Sequence, residues 1–319
     1  MRSYWVVQSE RGLVLEPRDV PTPQPKEGQL LVKVRATSFN RGELLTGHGA
    51  YDPNGKQAGI ECAGEIANAA TGFAAGERVM GRCVGGFADY ALMDAREAMR
   101  VPLRLSWEQA AAIPLAFMVV HDMLIGQGKL ERNEWLLIMG ASSGVGVASL
   151  QVGKALGANV IGTSGSAEKT SKLLQLGLDV GITTRTGGFH ETVMKTTAGK
   201  GVDLVVNTVG GTVFAECVRS LAFEGRLATV GYLDRTLKAE IDLEALHAKR
   251  LTLFGVSNKL RPAAERAQTV RAFEKDLLPY FAHGRMAPVI DRVFSFDEVA
   301  AAHAHFDSGS IVGKVVVRM

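Results

Sequence analysis

The sequence has 319 residues, 46% hydrophobic and 22% charged, with a formal net charge of +3. That length exceeds one comfortable core and predicts two domains; the composition is that of a globular chain. A charge of +3, with no block of like charge and no basic stripe interleaved with aromatics, argues against nucleic acid or a membrane surface as partner. Cys62, Cys83 and Cys217 are scattered, with no C-x-x-C spacing. They argue against a disulfide framework or a four-cysteine zinc site and fit reduced thiols in the cytoplasm. The basic N-terminus lacks the apolar core of a secretory signal. The longest apolar run, residues 110–120, carries Pro114 and falls short of the roughly 20 residues a bilayer span needs.

Residues 1–115 read as β-rich, with strands predicted at 30–36, 59–66, 78–81 and 87–91 and a loop marked by Pro21, Pro23 and Pro25. Between 116 and 261 the texture changes. Strands are predicted at 135–139, 159–163, 204–207, 226–230 and 251–255. Helices are predicted at 145–156, ended by Gly157, and at 166–176, ended by Gly177. Such alternation predicts a parallel sheet covered by helices on both faces. From 262 onward a helix near 263–282, a strand at 289–294, a helix start at Phe296 and a closing strand at 314–318 are expected. The predicted domains are 116–261, and 1–115 together with 262–319.

The sharpest motif is Gly140-Ala-Ser-Ser-Gly-Val-Gly146, directly after a strand and opening a helix. Backbone N–H groups in such a turn face a pyrophosphate at the positive end of the helix. Against the G-x-G-x-x-G fingerprint, Ala141 and Ser143 stand at the first two glycine positions and Gly146 keeps the third. The end of the second strand, Thr163-Ser164-Gly-Ser-Ala-Glu-Lys169, has no acid to bind a ribose 2′-hydroxyl. Ser166 is placed to cap the next helix, which puts Lys169 in its first turn. A cation there opposes the helix dipole, and a 2′-phosphate would make it useful. Arg185 could add a second cation, while Glu168 reads as a helix-start acid. These residues point to NADPH.

With Lys154-Ala-Leu-Gly-Ala158, Gly162-Thr-Ser-Gly165 and Gly201-Val-Asp-Leu-Val-Val-Asn-Thr-Val-Gly-Gly211, this motif resembles the medium-chain dehydrogenase/reductase superfamily. Within it the chain is most similar to the quinone oxidoreductase branch. Asn40, Gly49-Ala-Tyr51, Gly59-Ile-Glu61, Gly64 and Gly313-Lys314 extend the resemblance over nearly the whole chain. It implies an α/β fold: a doubly wound Rossmann parallel sheet inserted into a GroES-like β-barrel domain, with the active site in the cleft. It also implies a homodimer joined near residues 252–256. Zinc-dependent members carry a cysteine where this chain has Asn40, and Gly-His-Glu where it has Gly59-Ile60-Glu61. Asn40 and Ile60 can supply neither a thiolate nor an imidazole, so no metal is expected. His303 and His305 do not share a helix face and read as surface or packing residues.

The resemblance implies an enzyme without a Lewis acid, so the substrate must itself be electrophilic: a small-molecule quinone or conjugated alkene that takes a hydride from the nicotinamide by positioning. It implies catalytic roles for Asn40, near the nicotinamide ribose and substrate, and for Tyr51, which could hydrogen-bond a carbonyl or donate a proton. Ser143, Gly144, Val145, Gly146, Thr163, Ser164, Lys169, Arg185 and Asn207 are the expected cofactor contacts. Val230, Gly231, Tyr232, Phe254 and Val256 are expected to line the nicotinamide. Lys314 reads as structural. The branch commonly has Thr where Val119 stands and a second tyrosine where Leu45 stands, so this pocket is more apolar. Two alternatives remain open: an enone or 2-alkenal double-bond reductase, and an NADPH-binding structural or sensory protein with little catalysis.

Overall fold

The computed structural model describes residues 1–9, 12–43, 54–70 and 72–319. In chain order the first strands are β1 (Arg2–Ser9), β2 (Gly12–Asp19), β3 (Gln29–Ser38), β4 (Lys56–Gln57), β5 (Glu61–Ile66), β6 (Arg78–Val84) and β7 (Tyr90–Arg100). Helices α1 (Trp107–Ala111) and α2 (Pro114–Val120) lead through a π-helical turn, His121–Gly126, into β8 (Trp135–Met139) and α3 (Gly144–Leu156). Then come β9 (Asn159–Ser164), α4 (Ala167–Gln175), β10 (Val180–Thr183), α5 (His190–Thr196), β11 (Val202–Asn207) and α6 (Phe214–Arg219). They are followed by β12 (Leu221–Thr229), α7 (Leu243–Ala248), β13 (Thr252–Gly255), α8 (Ala263–Asp276) and α9 (Leu278–Ala282). The chain ends with β14 (Ile290–Ser295), α10 (Val299–Asp307) and β15 (Lys314–Arg318).

The chain divides into two compact units, one of Met1–Met118 with Pro262–Met319 and one of Val119–Arg261. The first join falls inside α2, a little beyond the boundary expected at 115. In the first unit the described strands form a sheet of order β2-β1-β4 and a second of order β14-β15-β3-β5-β6-β7, in which β3 also pairs with β7. That extra pairing closes a small antiparallel barrel filled by Leu30, Val32, Ile66, Val79 and Met93. Strand β7 starts later than the predicted 87–91 and runs to Arg100. Its first half (Tyr90–Asp94) pairs with β3, and β6 pairs with Leu92, Met93 and Ala98–Arg100 across an irregularity opposite Gly81–Cys83. The helix predicted at 263–282 is two helices. Pro279, which lacks an N–H, sits in the first turn of α9, where none is needed.

In the second unit six strands lie in the order β10-β9-β8-β11-β12-β13, all parallel. This is the doubly wound Rossmann order, which reverses between β8 and β11 and opens a crevice at their carboxyl ends. Leu136, Leu137, Ile138, Leu204, Val205 and Val206 are fully buried, so both faces of these central strands are covered. Each such side chain contributes about 2 kcal/mol of apolar burial. The left-handed Gly157 ends α3, and Ser166 caps α4 through the Lys169 N–H. Among the described residues no helix is long and apolar enough to cross a membrane.

Candidate functional site

Because the sheet is parallel, every predicted cofactor contact in this unit falls at its carboxyl edge. The turn after β8 is built by backbone and small side chains. Gly140 takes a left-handed conformation (φ 71°). Its N–H donates to the Thr163 hydroxyl at 3.1 Å, and the Ala141 N–H donates to the Thr163 carbonyl at 2.8 Å. A β-carbon at Gly146 would stand 2.5 Å from the Gly140 carbonyl oxygen, so only glycine closes this turn. The Ser143 hydroxyl accepts from Gly146 N–H at 3.0 Å and keeps its own proton to donate. The N–H groups of Gly144 and Val145, in the first turn of α3, have no carbonyl within the helix. These donors fit a pyrophosphate.

Thr163 and Asn207, both expected cofactor contacts, spend their side chains on the protein's own turns. The Thr163 hydroxyl is spent on the Gly140 N–H and the Met139 sulfur. Asn207 is fully buried; its Oδ1 accepts from Val209 and Gly210 N–H, and its Nδ2 donates to the Gly210 carbonyl. It therefore shapes the loop after β11 rather than presenting an amide outward. Val230 and Gly231 follow β12, whose register to β11 is continued by the Val230 N–H on the Asn207 carbonyl. Tyr232 is exposed, Phe254 is half-buried on β13, and Val256 is buried with its N–H on the Thr229 carbonyl.

At the end of β9 Ser164 is buried, and among the described residues its hydroxyl has no hydrogen-bond partner. The Arg185 side chain lies along Gly165, where a β-carbon would meet it at 3.1–3.3 Å. Burial pulls the Lys169 ammonium below the ordinary lysine range, and the nearby Arg185 guanidinium adds to that shift. Lys169, in the first turn of α4, and Arg185, after β10, are therefore near enough to interact. Glu168 is paired with Lys172 at 2.8 Å.

In the first unit the residue at the family asparagine position joins a buried charged network. The Lys314 ammonium donates to the Phe39 carbonyl (2.8 Å), Asn40 Oδ1 (2.8 Å) and Glu61 Oε1 (2.9 Å). Asn40 Nδ2 donates to the same Glu61 Oε1 at 2.7 Å and to the Ser38 carbonyl at 3.3 Å. The Ser38 hydroxyl also donates to Oε1, and the Leu115 N–H donates to Oε2 at 2.8 Å. The Glu61 and Lys314 side chains are 0% and 6% exposed. Glu43 is buried nearby and accepts from the Gly59 N–H. Burial pushes its carboxyl up to about 7, against the opposing effects of that bond and of Lys56. Lys314 and Glu43 were not singled out as functional in the sequence. The usable signal for Lys314 is its place in the Gly313-Lys314 motif just before the last strand; no sequence signal marks Glu43.

Residues 144–274 match the family described as zinc-binding dehydrogenase, and residues 26–103 match the alcohol dehydrogenase GroES-like domain. Quinone oxidoreductase of Homo sapiens is 29% identical over 311 residues, covering 94% of this chain and 92% of that protein. Quinone oxidoreductase-like protein 2 of Bos taurus is 29% identical, covering 100% of this chain and 92% of its own. The chain belongs to the medium-chain dehydrogenase/reductase superfamily and is quinone oxidoreductase-like. That makes it an oxidoreductase of the medium-chain type. A mycobacterial protein, Rv1454c, solved with NADPH, superposes with a TM-score of 0.87 at 25% identity over the whole of both chains. This chain also aligns, at 29% identity, with 12% of the length of highly reducing polyketide synthase ALT1 of Alternaria alternata.

In this medium-chain family member, the positions of the relatives' zinc ligands hold a half-exposed amide, Asn40, and a half-buried Ile60. Among the described residues no group of three or more His, Cys, Asp or Glu could hold a metal ion. His303 pairs with Asp307 (3.2 Å) and His305 with Asp291 (2.7 Å), so neither faces a shared ligand. The three cysteines are buried and free of disulfides. Val119 is half-buried. Tyr51 and Leu45 lie outside the described residues.

Proposed function

We propose that this chain is a zinc-independent, NADPH-dependent reductase that delivers a hydride to a quinone or a similarly electrophilic conjugated acceptor, an enone or 2-alkenal being the alternative substrate. The observation that carries this reading is the end of β9, where Lys169, Arg185 and the unpartnered Ser164 hydroxyl replace the acid that would favour NADH. When bound, the reduced nicotinamide supplies the hydride. The chain's own residues do the rest. Gly144 and Val145 N–H groups and the Ser143 hydroxyl hold the pyrophosphate. Lys169 and Arg185 neutralise the 2′-phosphate, and Ser164 donates to the same ribose. Val230, Gly231, Tyr232, Phe254 and Val256 line the nicotinamide end, and Asn40 and Tyr51 attend the reacting groups.

Zinc independence is supported by the donor set. Neither Asn40 nor Ile60 is a thiolate or an imidazole, and both oxygens of Glu61 are already engaged. Acceleration would come from holding hydride and acceptor in register. We also propose a homodimer joined at β13, the edge strand of the parallel sheet, which leaves an open row of backbone groups. Sedimentation of the purified protein at dimer mass supports it; a monomer mass at all concentrations removes it.

The functional test is NADPH oxidation with a quinone panel, an enone panel and no acceptor, each with and without a chelator. Turnover with one panel, unchanged by chelation, is expected. NADPH binding without turnover on any acceptor would replace the enzyme with a binding module, and loss of turnover on chelation would overturn the metal-free reading.

A further inference from the structure

We propose that Arg82, on β6, is a specificity-determining residue that binds a carboxylate carried by the electrophilic acceptor. The groups that define this anion subsite all belong to the first unit. That its ligand is the acceptor rests on the reductase reading above; that it takes a carboxylate does not.

Side chains alternate along β6. Val79 and Cys83 pack in the barrel core, so Arg78, Met80, Arg82 and Val84 share the outer face. Met80 is buried and Val84 is 62% exposed, which sets Arg82 at the rim of that face. The two arginines are treated differently. Arg78 Nη2 donates to the Leu105 carbonyl at 2.7 Å, and its guanidinium lies 4.3 Å from the centre of the Trp107 ring. Arg82 is half-buried, and among the described residues its guanidinium makes no hydrogen bond, ion pair or ring contact. Its Nη1 is buried with both protons unspent. Holding a cation out of water without a partner is costly, and a bound anion would remove that cost.

The natural mate for Arg82 is Glu61, which stands directly opposite on β5 and so points to the same face. That carboxylate is committed elsewhere: Oε1 accepts from Ser38, Asn40 and Lys314, and Oε2 from the Leu115 N–H. On the other side, the pairing of β6 with β7 shifts register between Gly81 and Cys83, so Arg82 has no partner residue on β7. Irregularities of this kind re-aim a side chain. The charges around Glu61 also favour an anion. Lys56 and Lys314 both act on Glu43, whose carboxyl, pushed up to about 7, is only partly ionised at neutral pH. With Arg82 there are three cations against one full and one partial negative charge. A single unshared guanidinium beside Glu61 suits a monoanion. A carboxylate matches its planar fork with two parallel N–H···O bonds, whereas the second charge of a phosphate monoester would face Glu61 uncompensated.

The test measures 4-oxopentanoate, its methyl ester and inorganic phosphate by ligand-observed NMR titration without cofactor, on the parent, Arg82→Met and Arg82→Lys. The parent should bind the carboxylate at least about tenfold more tightly than the ester, as for one charge-assisted contact, and more tightly than phosphate. Arg82→Met should abolish the difference between acid and ester. Arg82→Lys, which keeps the charge and loses the fork, should retain part of it. Met keeps the aliphatic stem and the guanidinium has no mate among the described residues, so Arg82→Met should melt at or above the parental temperature. In turnover, 4-oxopentanoate should inhibit competitively against the acceptor, with a Ki that rises about tenfold in Arg82→Met. Equal affinity of the parent for acid and ester, a preference that survives Arg82→Met, tighter binding of phosphate, a lowered melting temperature or inhibition that is not competitive would overturn the proposal. A parent that binds 4-oxopentanoate through Arg82 yet reduces no acceptor would refute the reductase reading while the carboxylate site stands.

Discussion

At the carboxyl edge of the parallel sheet, polar groups are left open. Among the described residues the Ser164 hydroxyl has no partner, and the first N–H groups of α3 have no carbonyl within the helix; Lys169 and Arg185 interact close by. Around Glu61, in the barrel unit, nearly every valence is used. Both regions are polar and both are partly buried, yet they have opposite bond accounting. Unspent donors beside small residues mark where a charged ligand completes the structure. A saturated network marks a place where the protein holds one of its own side chains still.

Several substitutions would break or sharpen this contrast. The largest effect is expected from Gly146→Val. Its β-carbon would stand 2.5 Å from the Gly140 oxygen and 2.7 Å from the Ala141 Cα, so the open edge loses its shape. Dinucleotide affinity, followed by fluorescence titration, should fall by about a hundredfold or more, equivalent to roughly 3 kcal/mol. A wild-type Kd would mean that the turn does not bind the pyrophosphate.

Glu43→Gln probes the saturated side. Burial holds the Glu43 carboxyl at about 7 rather than 4.5, so the folded chain keeps a proton that the unfolded chain has lost. Stability at this residue therefore falls as pH rises from about 4.5 to about 7 and is flat above. The glutamine variant should be the more stable protein at about pH 8, by up to about 3 kcal/mol, and the advantage should vanish near pH 4.5. Chemical denaturation at the two pH values checks this, and a pH-independent difference would contradict it. Ser164→Ala is the mildest change. It should weaken NADPH about five- to tenfold, the size of one lost hydrogen bond, with no loss of folding stability because the hydroxyl has no internal partner.

Much of the open edge was legible in the sequence because its elements are local. Gly140-Ala-Ser-Ser-Gly-Val-Gly146 follows the predicted strand at 135–139, and that strand forms with the same limits. Gly157 and Ser166 end and start helices as their chemistry dictates. The support roles of Thr163 and Asn207 were not legible. Each spends its side chain on a turn whose geometry depends on how neighbouring strands are staggered. The saturated network was the least legible part. Asn40, Glu61 and Lys314 come from β3, β5 and β15 or their ends, and the lysine is 253 positions from its glutamate. No local periodicity records that meeting. The hairpin of β1 and β2 was hidden similarly: its pairing of Arg2–Ser9 with Gly12–Asp19 leaves most of β2 half-buried or exposed, so alternation is weak.

The measurement that tests the central claim most directly is the ratio of kcat/KM for NADPH and NADH with one quinone, in the parent and in the Lys169→Ala, Arg185→Ala double variant. The parent should favour NADPH by about a hundredfold and the variant by no more than a few-fold, because the two cations supply the 2′-phosphate contact. A parent that uses both cofactors equally, or a preference that survives the variant, would contradict the account.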